Sequence, residues 1–322
     1  MQTVKNRLDY IDLSKGFTII LVVLGHIYQD NYIRTWLYSF HIPLFFIISG
    51  ILLNYKDINN NNFLSILETK IKSIMIPYFC FEALNIIIWL INNKEFTISA
   101  LRWNIIDTIL LYAHGTTWFL PCLFIAEIIF IIIRKIIKND YFTIITCILI
   151  TTLPFVLNLG QGITLIIFRS CIALGFICLG YFIYPIQKDI NLSKIKISII
   201  FCINIILCIL NGRVDLYKIT FNNVILSFLC AFLGSISILM IFKNIKFNRG
   251  LSYFGKNSLI IMCVHNNLIL ILQSIFKFSY DGYVKGLILL IIVMIIQIPI
   301  IEIINRYLPF MIGKKRIKIR KI

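Results

Sequence analysis

The sequence predicts an all-α integral membrane protein. Of its 322 residues, 59% are hydrophobic and only 14% are charged, whereas an ordinary globular domain carries about a quarter charged residues. The charges gather between long apolar runs, and a water-soluble core of this length could not bury so many large apolar side chains. These observations exclude a disordered chain, a coiled coil, a nucleic-acid-binding module and a secreted disulfide scaffold.

Ten apolar runs are long enough to cross a bilayer, which takes about 20 helical residues. The predicted spans are 14–33, 36–53, 73–92, 117–134, 141–158, 163–184, 197–211, 221–242, 257–276 and 284–307. The connections between them are too short to form a folded soluble domain. Residues 1–322 are therefore predicted to form one polytopic transmembrane helix bundle.

The basic residues predict the orientation of these spans. The net charge is +17, and 21 Lys and Arg residues fall in the terminal segments and in every second connection, against 7 in the other connections. Cytoplasmic segments of membrane proteins are enriched in Lys and Arg, so both termini are predicted to be cytoplasmic. The basic segment Lys314–Lys321 is expected to face anionic lipid of the cell membrane, plasma or inner. Membrane lipid, and not nucleic acid, is thus the expected partner of these charges, and the oligomeric state stays open.

Ionisable residues inside the predicted spans are rare. They include Lys15, His26, His41, Glu82, Glu127, Arg169, His265 and Glu302. Each costs at least about 2.5 kcal/mol in a bilayer and usually faces a cavity or a partner. An α-helix places His26 about 16 Å beyond Lys15, near the membrane middle. Similar counting puts His41, Glu127 and His265 in the same central band, which indicates an intramembrane site.

Structural alternatives stay open for these residues. A membrane histidine can simply bond a neighbouring helix, and for His265 this role is as plausible as function. For His26 a functional role is favoured, because Lys15 shares its span. Arg169 is expected to have Glu127 as its counter-charge at similar depth, in either a structural or a catalytic ion pair.

No metal site and no disulfide set are predicted. The nine cysteines lie within apolar runs, none at CxxC spacing, and their odd number suits no complete set of disulfides. His26 and Asp30 alone supply too few ligands for zinc. Asp30, one turn after His26, could instead orient the imidazole.

Three basic residues, Lys15, Lys70 and Lys72, lie at the predicted inner ends of spans. They are either charges that set the topology or a phosphate-binding mouth that leads to His26 and admits an anionic cytosolic donor. Composition does not choose between these interpretations.

Several stretches resemble the acyltransferase 3 family of membrane O-acyltransferases. In chain order they are RLDYIDLSKG (7–16), VVLGH (22–26), SFHIPLFFIISG (39–50), KIK with IPY (70–78), TWFLPCLF with the following Glu127 (117–127), the stretch 169–180, and LSYFGKNSL with the later His265 (251–265). The resemblance runs from residue 7 to about residue 268. The first blocks are specific, and the later ones are individually weaker.

The resemblance implies a ten-helix bundle that moves an acyl group, usually acetyl, from cytosolic acyl-CoA to a hydroxyl of a sugar acceptor. The expected acceptor is a cell-surface or cell-wall glycan or its lipid-linked precursor. The family's pattern of a basic residue, ten residues and a histidine is met by Lys15 and His26, with Lys where Arg is common. In the implied mechanism, His26 is the base or the acyl carrier, and Asp30 or Glu127 orients it. His41 or Arg169 stabilises the oxyanion. Acetyl-CoA is expected to be bound by Lys15, Lys70, Lys72 and Arg169, and the acceptor by Trp118 and His265.

A transporter or flippase for a lipid-linked glycan is the main alternative function. Its midplane His, Glu and Arg residues would form a proton relay. Such proteins more often show inverted repeats and spans broken by Gly or Pro at matching positions, and neither pattern is found in the sequence. A sensor or scaffold would leave the intramembrane ionisable residues unexplained.

Overall fold

The computed structural model describes residues 8–28, 31–93, 97–113, 115–157, 163–276 and 282–314. Within these ranges the fold is all-α, apart from one hairpin of β1 (Val214–Asp215) and β2 (Thr220–Phe221). The helices are α1 (Asp9–Ile27), α2 (Tyr32–Tyr55), α3 (Phe63–Lys70), α4 (Ile76–Asn92), α5 (Ile98–Ile109), α6 (Phe119–Ile136), α7 (Asp140–Leu157), α8 (Ile163–Gln187), α9 (Lys194–Asn211), α10 (Val224–Lys243), α11 (Arg249–Lys256), α12 (Ser258–Phe276) and α13 (Tyr283–Tyr307).

Ten helical segments in the described part of the chain are long and apolar enough to cross a membrane. They correspond one to one with the ten predicted spans, so the predicted fold class is confirmed. The third segment is longer than predicted, Phe63–Asn92, because α3 runs through a π-helical turn (Ile71–Met75) into α4. Lys70 and Lys72 therefore lie inside a continuous helical segment and not before it.

The first span ends six residues earlier than predicted. Tyr28 leaves the helix with an extended backbone (φ −84°, ψ 127°), and its hydroxyl donates to the Tyr283 carbonyl at 2.7 Å. Burial, together with the neighbouring Tyr283, raises the pKa of Tyr28, so the phenol keeps its proton. His26 is consequently the second-last residue of α1, not a mid-helix residue, and Asp30 lies outside the described residues.

Short polar side chains begin several helices. Asn62, Thr97, Ser193, Asn223 and Asn248 each accept a backbone N–H of the first turn of α3, α5, α9, α10 and α11, respectively. Such caps satisfy donors that have no partner within the helix. The starts of these helices are therefore determined by local sequence. The hydrophobic composition of the chain determines only the apolar runs between the helix ends.

The described chain divides into two compact units. The first comprises Met1–Ile48 and Pro185–Ile295, and the second comprises Ser49–Tyr184 and Ile296–Ile322. That the whole chain forms a single domain stays a prediction.

In the first unit, α1 packs against α10, α11 and α12. Glycines bring α1 and α11 into backbone contact: a Cβ on Gly16 would overlap the Leu251 carbonyl oxygen, and one on Gly255 would overlap that of Asp12. Small residues at such crossings allow close helix packing in membranes. The crossing fixes α1 beside the helices that follow α11.

A buried asparagine ties α2 to α9 and α10 in the same unit. Asn204 accepts the Trp36 indole N–H at 3.0 Å and donates to the Cys230 carbonyl at 2.7 Å. Its side chain is fully buried, and unpaired amide groups are costly in such surroundings. These bonds hold the first turns of α2 in place.

In the second unit, α3, the π-helical turn and α6 pack together, and a 3-10 turn (Pro309–Ile312) packs against α4. Gly313 follows that turn with φ +66°, and a Cβ there would overlap the Lys72 carbonyl oxygen. Both the backbone conformation and the lack of space require glycine at this position.

Candidate active site

Four aromatic rings of the first unit form a cluster, here called the histidine cluster: His26, Tyr38, His41 and His265. The rings of His26 and His265 lie edge to face, with centroids 4.9 Å apart. The Tyr38 ring lies 6.4 Å from that of His26 and 4.9 Å from that of His41. One side chain therefore links the histidines of α1 and α2, and α12 supplies the third.

The two deeper histidines have defined tautomers. The Nδ1 of His265 lies 2.8 Å from the Ile261 carbonyl oxygen, and the Nδ1 of His41 contacts the Leu37 carbonyl oxygen. Because a carbonyl oxygen only accepts, each Nδ1 carries a proton and each Nε2 of the neutral ring keeps a lone pair. The buried Nε2 of His265 has no hydrogen-bond partner among the described residues. It is available as an acceptor.

His26 differs from the other two histidines in its exposure. Its side chain is partly exposed, whereas His41 and His265 are 2% and 0% exposed. His26 can be reached by a reactant, and the buried His265 behind it has a lone pair on Nε2. This arrangement suits proton transfer or nucleophilic attack by His26. Of the predicted catalytic residues, the structure thus brings His26 and His41 together, and it adds His265.

Tyr38 and Arg34 were not predicted as site residues. The Arg34 guanidinium lies over the Tyr38 ring, 4.6 Å from its centroid, and donates to the Tyr38 hydroxyl at 3.2 Å. The spacing of Arg34, Tyr38 and His41, four and then three residues, places all three on one helix face. That periodicity is the sequence signal that could have found them.

Lys15 belongs to the same unit as the histidine cluster. It is partly exposed and precedes Gly16, at the crossing of α1 and α11. The eleven residues to His26 correspond to about 16 Å of α-helix, as the sequence predicts. Lys15 and His26 therefore stand toward opposite ends of α1.

A buried ion pair lies in the second unit. Lys70 Nζ is 2.6 Å from Glu127 Oε1, and Ser49 donates to the same carboxylate. The Lys70 and Glu127 side chains are 17% and 3% exposed. The sequence interpretation that paired Glu127 with Arg169 missed this partner, because the inner end of the third span was placed too late in the chain.

Lys72 has a different environment from Lys70. It pairs with Glu68 one helical turn earlier, and the two side chains are 52% and 66% exposed. Exposed pairs of this kind contribute little to stability. Lys70 and Lys72 were both predicted to hold phosphate, and of these two Lys72 is the one that solvent reaches freely.

Arg169 and Trp118, both predicted binding residues, contact each other in the second unit. The guanidinium of Arg169 lies 5.3 Å from the Trp118 ring centroid, and Arg169 is 2% exposed. The neighbouring Thr117 donates to the buried carboxylate of Glu82. Cation–π contact stabilises a buried cation of this kind.

The chain matches the Acyl_transf_3 family model, described as an acyltransferase domain, over residues 8–305. It belongs to the acyltransferase 3 family. Comparison with curated proteins and with solved structures gave no match. The family match and the ten candidate spans together make the chain a multi-pass membrane acyltransferase.

Membership of the acyltransferase 3 family gives the histidine cluster its chemical context. Acyl transfer needs a group that takes the acceptor proton or carries the acyl group. Among the described residues, no three His, Cys, Asp or Glu side chains gather where they could hold a metal ion. Family membership favours a transferase over the flippase alternative.

Proposed function

We propose that this acyltransferase moves an acetyl group from cytosolic acetyl-CoA to a hydroxyl of a cell-surface or cell-wall glycan, or of its lipid-linked precursor. The observation that carries the proposal is the partly exposed His26 ring against buried His265, in a chain of the acyltransferase 3 family. The Lys and Arg distribution supports cytoplasmic termini. With that orientation, Lys15 in the first half of α1 is proposed to lie toward the donor side.

The separation of Lys15 and His26 along α1 suits the length of acetyl-CoA. Phosphates of acetyl-CoA would lie near the ammonium of Lys15, which binds phosphate as a point charge. The pantetheine arm would extend along about 16 Å toward His26. On the second unit, Lys70, Lys72 and Arg169 stay proposed donor contacts, and Trp118 stays a proposed acceptor contact.

In the proposed reaction, neutral His26 removes the proton of the acceptor hydroxyl as its oxygen attacks the thioester carbonyl. The carbon–sulfur bond then breaks, and the proton passes from the imidazolium to the departing CoA thiolate. In the covalent variant, His26 itself attacks the thioester and expels the CoA thiolate. In a second step the acceptor oxygen attacks the acyl-imidazole, His26 leaves as the neutral ring, and the hydroxyl proton goes to the thiolate. His41, with a lone pair on Nε2, is proposed to hold the hydroxyl or, when protonated, to stabilise the oxyanion.

His265 is proposed as a positioning residue for His26. Its Nε2 lone pair can accept an N–H from the His26 ring after a small rotation, which leaves the other His26 nitrogen as the base. Because His265 is anchored through Nδ1 to the Ile261 carbonyl, it holds one tautomer. Buried partners of this kind fix both the tautomer and the orientation of a catalytic imidazole.

The test uses purified full-length protein in nanodiscs with radiolabelled acetyl-CoA. Label should appear in a glycan acceptor, and free CoA thiol should appear in equal amount. A protein that released no CoA with any acceptor, yet moved a lipid-linked glycan across a proteoliposome membrane, would be a flippase, and the enzyme proposal would fail.

A further inference from the structure

A cavity of about 360 Å³ opens beside the histidine cluster in the first unit. Its walls are formed by the first turns of α2 and by the segment that follows α9. The lining residues are Asn31, Tyr32, Arg34, Thr35, Tyr38 and Arg213. Tyr38 belongs to both places, because its ring also lies 6.4 Å from that of His26. The cavity therefore shares a wall with the histidine cluster.

The described lining of this cavity carries positively charged groups. Its described lining includes two guanidinium groups, those of Arg34 and Arg213, and no carboxylate. The nearby Asp215 is buried and accepts the Lys218 backbone N–H at 3.1 Å. Among the described residues around the cavity, the two guanidinium groups outnumber this one carboxylate. The N-terminus of α2, whose Asn31 side chain accepts the Arg34 N–H at 2.8 Å, adds the positive end of a helix dipole.

The segment that carries Arg213 is held in place by its own hydrogen bonds. Asn222 donates to the Asn211 carbonyl at 2.9 Å, and the Asn223 N–H donates to the Asn211 side chain at 3.2 Å. The hairpin of β1 and β2 closes the segment, and Gly212 turns into it with φ +73°. Arg213 is thus presented by an ordered turn that holds it against the cavity.

The position of the cavity relative to the membrane also suits an acceptor site. With each of the ten candidate spans crossing the membrane, the connections after the first and the seventh spans lie on the same face, because six crossings separate them. The cavity joins those two connections, at the end of α1 where His26 stands, whereas Lys15 stands toward the other end. A donor that arrives along α1 from Lys15 and a ligand in this cavity would therefore approach His26 from opposite faces.

We propose that this cavity binds an anionic group of the acyl acceptor, a phosphate or carboxylate carried by the glycan. This rests on the proposed function. Guanidinium groups match both oxyanions through paired N–H donors. A glycan held there would bring a neighbouring hydroxyl past Tyr38 toward His26. The site thus selects acceptors by charge, either in the pyrophosphate of a lipid carrier or in an acidic sugar.

The experiment measures binding directly and does not depend on turnover. Three fluorescent probes are titrated into full-length protein in neutral-lipid nanodiscs: a neutral oligosaccharide, the same oligosaccharide with uronic acid carboxylates, and the neutral oligosaccharide on polyprenyl pyrophosphate. The variant is Arg213→Gln, since Arg213 is an exposed side chain of the cavity lining, and the melting temperature of this variant is compared with that of the wild type. The control is Lys218→Gln, an exposed cation of the same connection that does not line the cavity.

At least one charged probe should bind the wild type about tenfold or more tightly than the neutral probe, and Arg213→Gln should abolish that preference while Lys218→Gln keeps it. The charged probe that responds identifies the source of the anion. Equal binding of all probes, or equal loss in both variants, would overturn the inference. Acetyl transfer without charge preference would overturn it and leave the proposed function standing, whereas charge preference without any transfer would do the reverse.

Discussion

His26 and His265 meet edge to face, with ring centroids 4.9 Å apart, one ring partly exposed and the other fully buried. The buried ring is anchored through Nδ1 and offers a lone pair at Nε2. The partly exposed ring can therefore exchange protons with a reactant, while the buried ring stays fixed. The first two predictions separate these roles.

Replacing His26 should remove acetyl transfer without unfolding the protein. His26→Gln keeps polarity and much of the volume but cannot act as the base or acyl carrier, so we expect kcat to fall by at least about two orders of magnitude. Acetyl-CoA binding should stay near the wild-type value in a direct binding assay. A variant with normal turnover and normal donor binding would make His26 a packing residue and move the assignment to His41.

Two substitutions of His265 test its positioning role. His265→Gln places an amide oxygen near the former Nε2 position, whereas His265→Asn keeps a group near Nδ1 only. We expect Asn to lower kcat about tenfold or more and Gln to recover part of that loss, with little change in the KM of the donor. If both variants lost the same activity and the same thermal stability, the contact with His26 would be structural.

Gly255 is expected to be irreplaceable at the crossing of α1 and α11. In Gly255→Ala the new Cβ would overlap the Asp12 carbonyl oxygen, and overpacking of this kind typically costs about 1–3 kcal/mol. The melting temperature in detergent should fall accordingly. Gly250→Ala in the same helix is the matched control, because its Cβ would meet only the Asn248 side chain at 3.4 Å. Equal melting temperatures for the two variants would argue against the crossing.

Lys70 and Lys72 of the third span form ion pairs with Glu127 and Glu68, respectively. The two pairs should differ in their contribution to stability. Glu127→Gln leaves a cation without its charge partner in a buried place, which typically costs about 3–5 kcal/mol. Glu68→Gln breaks an exposed pair and should cost about 0.2–1 kcal/mol. Thermal unfolding of both variants, with a double-mutant cycle on Lys70 and Glu127, gives the comparison. A coupling energy near zero in that cycle would contradict the observed pair.

The sequence predicts the spans well because lipid imposes one requirement on every residue of a run. It predicts helix ends less well: α1 stops at Ile27 because Tyr28 bonds to Tyr283, more than 250 positions away. Local counting cannot find such a partner. The missing contacts of the site have the same cause, since the meeting of His26 with His265, and of Lys70 with Glu127, depends on how helices pack.

The candidate site residues that the sequence singled out are those that are costly to place in a bilayer. A histidine or glutamate in an apolar run stands out because a bilayer disfavours it, which drew attention to His26, His41 and Glu127. Tyr38 carries no charge, and tyrosine is tolerated in membrane helices, so the composition of the span does not identify Tyr38 as a site residue. Arg34 and Arg213 were counted as charges outside the membrane, and only their shared cavity gives them a common role.

The π-helical turn Ile71–Met75 adds one residue to the third span and nearly preserves the angle between the side chains on either side of it. Deleting one residue there would restore a regular α-helix and leave a span one residue shorter than its present 30, still long enough for a bilayer. Because the wide turn takes up the extra residue, the same deletion would leave Lys70 at nearly its present angle relative to α4 and still opposite Glu127. One residue lost from a regular α-helix would instead rotate Lys70 by about 100°. A lineage that lost the residue of the π-helical turn would therefore keep its topology, its insertion into the membrane and the ion pair.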